Sequence, residues 1–166
     1  MLLGSAGAPR HLVVFEDPQC PYCRQFEEVC GDVLRTARTK GTVAVEYRMR
    51  CFLGIESVRA DNALALAAEE GRFDELREQL FASQPEEGTG GFTVADLREL
   101  GERAGLTGAG YRSGLEEGRY EAWVLQVEQS FQAEDPRGTP AAWLDGRSVD
   151  SRILTDPERL GSLLGL

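Results

Sequence analysis

The sequence predicts an α/β fold, a split sandwich in which βαβ and ββα portions are separated by an all-helical insertion, and three features predict it. His11 to Phe15 is a short apolar run, helical spacing follows it from Cys23, and Val43, Val45, Tyr47 and Met49 then alternate with polar or small residues. From Ser57 to about Glu134 there are only helical patterns. After Gly138-Thr139-Pro140 come a short apolar strand, an Asp-Gly turn, a return strand and one more helical pattern. Residues 11–56 and 135–166 are therefore expected to form the sheet domain, and residues 57–134 an inserted helical subdomain.

Taken in order, Met1 to Pro9 is too short for a secretory signal and lacks a basic start. It is expected to be a disordered leader, or what remains once an export signal is removed. Strand one begins at His11. Glu16-Asp17-Pro18-Gln19 is a polar turn with a strand breaker. The helix after it places Phe26, Val29, Val33 and Leu34 on its apolar positions and runs to about Arg38. With the strand from Val43 to Arg50 this makes a right-handed βαβ unit, which puts the turn at the carboxyl end of the first strand, where sites gather in open α/β sheets.

Ser57 can cap an alanine-rich helix that stops at Gly71, and a second helix through Phe73, Leu76 and Leu80 ends before Pro85. Pro85 to Gly91 reads as a flexible loop. Thr93 with Asp96 resembles a capping box for a helix ending at Gly105. A short piece follows around Tyr111 to Leu115, then a longer helix with Tyr120, Trp123, Val124, Val127 and Phe131 on one stripe. Ala141 to Leu144 and Arg147 to Val149 make the closing hairpin, and Thr155-Asp156-Pro157-Glu158 caps the final helix.

At 166 residues the chain is one domain's worth and can bury a core without disulfide staples. Its 28 acidic residues against 18 Lys and Arg give a formal charge of −10, which argues against nucleic acid or an anionic membrane as partner. No apolar run approaches the roughly 18 residues of a membrane-spanning helix. A monomer is expected. The location is expected to be extracytoplasmic if an export signal was removed, and cytoplasmic otherwise.

The chemistry concentrates at Cys20-Pro21-Tyr22-Cys23. Two cysteines with this spacing, between a strand and a helix, read as a redox pair. Pro21 lacks an N–H and is tolerated in the first helical turn. Cys20, ahead of the helix, sits at the positive end of the dipole, which favours its thiolate. That thiolate can form a mixed disulfide with a substrate, and Cys23, one turn later and facing inward, can resolve it.

Phe15 to Glu28 together with Arg137 to Gly146 closely resembles the DsbA-like branch of the thioredoxin fold. The likeness rests on the CPYC motif after an apolar strand, a helical insertion of this length, and Gly138-Thr139-Pro140 before an Asp-Gly hairpin. It implies a thiol:disulfide oxidoreductase with no bound cofactor. It also implies a cis Thr139-Pro140 bond lying against the redox pair, with backbone at Thr139 pairing with substrate peptide. The expected partners are protein or small-molecule thiols and disulfides, and a redox recycling partner of unknown identity. The family's acidic residue six positions before the first cysteine is replaced here by Val14, so Glu16 and Asp17 are the candidates for proton transfer. The dipeptide is Pro-Tyr where strongly oxidising relatives carry Pro-His, and a less oxidising potential is expected.

Two other readings stay open. One is a glutathione-linked transferase or isomerase of the same fold, although such relatives tend to replace the second cysteine. The other is a binding module or holdase with cysteines as a redox sensor. Zinc held by Cys20, Cys23, Cys30 and Cys51 is disfavoured, because Cys30 and Cys51 do not form a second close couple. Cys30 is expected to face the core and to remain unbonded to Cys51, because ten residues of helix separate it from Cys20 by roughly 15 Å. His11, at the far end of strand one, is not expected to act in catalysis, and Trp123 and Trp143 are expected to pack in the core or hairpin.

Overall fold

The computed structural model describes residues 1–132 and 138–166, with the side chain of Gln132 excepted. Arg137 and the boundary expected at residue 134 lie outside the described residues. The chain divides into two compact units: Met1–Glu16, Tyr22–Arg48 and Pro136–Leu166 form one, and Asp17–Pro21 with Met49–Asp135 the other.

The first unit carries a five-stranded sheet. Its strands are β1 (Leu2–Leu3), β2 (Arg10–Glu16), β3 (Val43–Met49), β4 (Ala141–Leu144) and β5 (Arg147–Ser148), in the order β1-β3-β2-β4-β5. The antiparallel register pairs Leu12 of β2 with Leu144 of β4, and Val14 with Ala142, so four buried side chains share one face. The hairpin turn has Asp145 and Gly146 both at positive φ, 51° and 77°, the primed geometry that matches strand twist. The Asp145 carboxylate accepts the His11 N–H (2.9 Å) and tethers the turn to the start of β2.

The N-terminus corrects the sequence reading. Met1 to Leu3 is not a disordered leader: Leu2 pairs with Glu46 and Leu3 with Val45, antiparallel, and the Met1 ammonium donates to the Tyr47 carbonyl (2.7 Å). Two strand residues are too few for alternation to show in a sequence. They nevertheless cover what would be an open edge of β3.

Helix α1 (Pro21–Thr39) buries Cys23, Phe26, Cys30, Leu34 and Ala37. That is a stripe at i, i+3 and i+4 spacing in which cysteines serve as small hydrophobes. Val29, expected on this face, is exposed, and Val33 is half-buried. The last helix, α7 (Pro157–Leu164), opens on Asp156, whose side chain accepts the Arg159 N–H (3.0 Å), with Pro157 first in the helix.

In the second unit, α2 (Ile55–Glu69) touches α3 (Phe73–Ala82), α4 (Val94–Arg103), α5 (Ala109–Glu117) and α6 (Glu121–Gln132). A helix with four neighbours has no solvated face, and α2 accordingly buries Val58, Ala60, Asp61, Ala63, Leu64 and Ala67 around its circumference. Ser57 is not its cap. Gly54 holds that position at φ 126°, and Ser57 lies buried inside the helix. Thr93 and Asp96 do form a capping box, with the Thr93 N–H donating to the Asp96 carboxylate (2.9 Å) and the Asp96 N–H to the Thr93 hydroxyl (3.2 Å).

On α6 the buried residues are Val124 and Glu128, while Trp123 is 54% exposed with its ring edge-on to Tyr120. Trp123 is thus not a core residue. Val124 and Glu128, four residues apart, form the inward stripe, with Glu128 bonded to Arg50, and Trp123 lies one position off it. Trp143 packs half-buried against Phe15, ring centroids 5.2 Å apart.

Candidate active site

The redox motif begins with a turn that ties itself. Asp17 ends the extended chain of β2, its Oδ1 accepts the Gln19 N–H (2.9 Å), and its carbonyl accepts the Cys20 N–H (2.9 Å). The side chain of a short acid bonding its own backbone two residues on is what makes Asp a turn former. Cys20 therefore leaves the turn directly ahead of α1, with Pro21 the first helical residue and Cys23 in the first turn. Both cysteines are buried, Cys20 at 5% exposure and Cys23 at 0%, while Tyr22 between them is 68% exposed. Cys30 and Cys51 carry free thiols and are not bonded to each other.

Within the second unit this turn is held by residues that the sequence did not single out. Asp17 Oδ1 also accepts the Ser57 hydroxyl (2.6 Å), and its Oδ2 accepts the Leu53 N–H (3.2 Å). The Gln19 amide donates to the Leu53 carbonyl (3.2 Å) and to Ser57 Oγ (3.0 Å), and its oxygen accepts the Gly88 N–H (3.1 Å). The Gln84 amide donates to the carbonyls of Pro18 (2.8 Å) and Cys20 (3.0 Å). Ser57, Gln19 and Gln84 are polar residues in helices or loops, and such residues read as solvated surface unless the partner is known.

Burial pushes the Asp17 carboxyl up to about 6, against the pull of its three hydrogen bonds, and the neighbouring Cys20 adds to the rise. Glu16, the other candidate for proton transfer, is fully buried as the last residue of β2, and Val14 is buried on the same strand. Burial also raises the spare thiols, Cys30 to about 11 and Cys51 to about 12, so neither is a ready nucleophile. Cys30 Sγ donates to the Leu154 carbonyl (3.4 Å). His11 points its Nε2 at Glu46 (3.1 Å).

In the first unit the Thr139-Pro140 bond is cis, at the start of β4. Thr139 and Pro140 share an open groove of about 400 Å³ with Tyr22 and Phe26 of α1 and with Leu154 and Thr155. The exposed ring of the motif and the Thr-Pro pair, 117 residues apart for Tyr22 and Thr139, thus line one groove. Among the described residues no group of three or more His, Cys, Asp or Glu side chains is placed to hold a metal ion. None of the described helices is long and apolar enough to cross a membrane.

Comparison with known proteins gives this geometry a family. The Thioredoxin_4 family model, described as thioredoxin, matches residues 1–164. The thiol:disulfide interchange protein DsbA of Yersinia pestis is 28% identical over 143 residues, 85% of this chain and 68% of that protein. The Na(+)/H(+) antiporter NhaA 3 of Salinispora tropica is 30% identical over 149 residues, 87% of this chain and only 21% of that protein. The chain therefore spans about a fifth of that relative's length. Oxidised BdbD of Bacillus subtilis superposes with a TM-score of 0.85, covering 98% of this chain and 89% of BdbD at 21% identity. With the family model running over nearly its whole length, and with helices inserted between the halves of its sheet, the chain belongs to the thioredoxin family in its DsbA-like form.

Proposed function

We propose that this chain is a thiol:disulfide oxidoreductase in which Cys20 exchanges with substrate and Cys23 resolves. The observation that carries the reading is the placement of the pair: Cys20 directly before α1, an N–H-free Pro21 next, and Cys23 buried one turn in. The first-turn N–H groups and the dipole favour a thiolate at Cys20. In the reducing direction that thiolate attacks one sulfur of a substrate disulfide, forming a mixed disulfide and releasing the other sulfur as a thiolate. Cys23, once deprotonated, attacks Cys20 Sγ, and the second substrate thiolate leaves as the Cys20–Cys23 disulfide closes. The oxidising direction is the reverse, with two substrate thiols giving up their protons and electrons to the closed pair. Net direction follows from the potential of the pair and from its recycling partner.

The groove past Tyr22 and Phe26 to Thr139 and Pro140 supports an extended peptide as substrate, with backbone at Thr139 pairing to it. Pro21 and Tyr22 complete the motif. Of the two acids proposed for proton transfer, Asp17 is favoured over Glu16, because its carboxyl has been lifted into the range where a proton moves easily near neutral pH. The test is turnover in insulin reduction with dithiothreitol, using wild type, Cys20→Ser and Cys23→Ser. Wild type should turn over, Cys20→Ser should be inactive, and Cys23→Ser should accumulate a mixed disulfide at Cys20. Absence of turnover in the wild type would leave only a binding role.

A further inference from the structure

We propose that Gln84 is a positioning residue for Cys20, its amide fixing the nucleophile's backbone so that the sulfur is held toward the N-terminal end of α1. This rests on Cys20 being the attacking thiol. The side-chain amide of Gln84 donates to two main-chain carbonyls, those of Pro18 and of Cys20 itself, at 2.8 and 3.0 Å. One nitrogen thus brackets the nucleophile. It uses both of its protons, the full donor capacity of a carboxamide.

The chain gives the bracket a firm base. Gln84 follows the end of α3 directly after Ser83 and precedes Pro85, whose ring limits the conformation of the residue before it. The loop that begins there is also fastened farther on. The Gly88 N–H donates to Gln19 Oε1 (3.1 Å), and the Gly90 N–H to Glu56 Oε1 (3.2 Å). Residues 84 to 90 therefore strap the redox turn from outside, while Asp17 and Ser57 hold it from within. What looks like a flexible loop is attached to Pro18, Gln19 and Cys20 through Gln84 and Gly88, and to Glu56 of α2 through Gly90.

The physical consequence is specific to Cys20. As the residue before the helix, it owes any thiolate stabilisation to the orientation of its side chain relative to N–H groups that fall off in influence within the first turn. Rotating its backbone by a few tens of degrees would move the sulfur off that axis without unfolding anything. The Asp17 and Gln19 bonds all lie on the N-terminal side of Cys20. The Gln84 bond to the Cys20 carbonyl holds the peptide on its far side. Asp17 and Cys20 act on each other within the turn, buried Glu16 precedes it and Cys23 follows it, and the field of Asp17 reaches Arg50, Cys51 and Asp61. None of these groups is replaced by changing Gln84.

The experiment compares wild type with Gln84→Met, which keeps length and removes both donors, and Gln84→Glu, which turns acceptors toward two carbonyls. The rate of Cys20 alkylation by iodoacetamide is followed from pH 4 to 9 in the reduced protein, together with thiolate absorbance at 240 nm. Both variants are expected to shift the Cys20 profile to higher pH and to slow alkylation on its acidic limb about 3- to 10-fold, the worth of one ordinary hydrogen bond, with Gln84→Glu the slower. The rate at the alkaline plateau should stay at the wild-type level. A merely structural Gln84 would lower the unfolding midpoint and leave the profile in place, and that result overturns the proposal. If either variant fails to fold, the other still decides. Failure of the wild type to alkylate preferentially at Cys20 would instead remove the oxidoreductase reading on which this rests.

Discussion

Asp17 shows how a single buried acid links fold to chemistry. An ionised carboxylate out of water is costly, and three donors offset only part of that, so its titration rises from 3.8 to about 6 on folding. Because the folded chain binds the proton more tightly, this group favours folding below pH 4, and that contribution is lost as pH climbs through about 6. The full loss is on the order of 3 kcal/mol. Asp17→Asn should carry a constant penalty, since an amide N–H would face the Leu53 N–H, but should lose less stability than wild type between pH 4 and 7. Urea unfolding at both pH values checks this; equal losses in the two proteins would mean that Asp17 titrates as an ordinary surface acid. The place of Cys20 ahead of α1 and of Cys23 in its first turn was legible from the spacing of the motif, and the cis Thr139-Pro140 bond from the family resemblance. Gln19, Ser57, Gln84 and Glu128 were not, because their roles exist only once residues tens of positions apart meet.

Among the elements, the helices of the insertion were legible by their period and caps, and their faces less so. On α1 the inward positions of Cys23 and Cys30 were read correctly, whereas Val29, counted on the same face, is exposed. The burial of α2 has almost no periodicity to find. Close packing leaves its mark at small residues instead. A Cβ on Gly101 of α4 would lie 2.3 Å from the ring of Tyr111, whose hydroxyl is anchored on the Leu97 carbonyl (2.9 Å). Gly110 of α5 has open space around it. Alanine is worth up to about 1 kcal/mol over glycine in a helix, whereas overpacking costs about 1 to 3 kcal/mol, so packing wins at the first site and propensity at the second. Gly101→Ala should melt lower than wild type and Gly110→Ala slightly higher. The same sign at both positions in a thermal scan would show that the ring gives way.

On the scale of the whole molecule, the problem is the long excursion between β3 and β4, which must return without costing the chain its cooperativity. Two residues near its ends meet. Arg50, just past β3, donates through Nε (2.8 Å) and Nη2 (2.6 Å) to the two carboxylate oxygens of Glu128, on α6 near the return, and the Cys51 N–H adds a third bond (3.2 Å). Arg50 also lies over the Phe52 ring, 4.9 Å from its centroid. Both partners are buried, with side-chain exposures of 8%. A buried forked pair of this kind gains little over apolar packing, but losing one partner strands the other charge at a cost of about 3 to 5 kcal/mol. Glu128→Leu should therefore destabilise by that amount, and Arg50→Met combined with Glu128→Leu by clearly less, although the orphaned Cys51 N–H keeps recovery incomplete. In the single variant, amide exchange should also quicken at Leu53 and Gly88, whose N–H groups hold Asp17 and Gln19, so that damage at the ends of the excursion is felt at the redox turn. Urea unfolding of the four proteins of the cycle, with hydrogen exchange on the two single variants, decides it: additive losses would mean that the pair is spectator to a closure made by apolar contacts such as those of Cys51, Val58 and Val124.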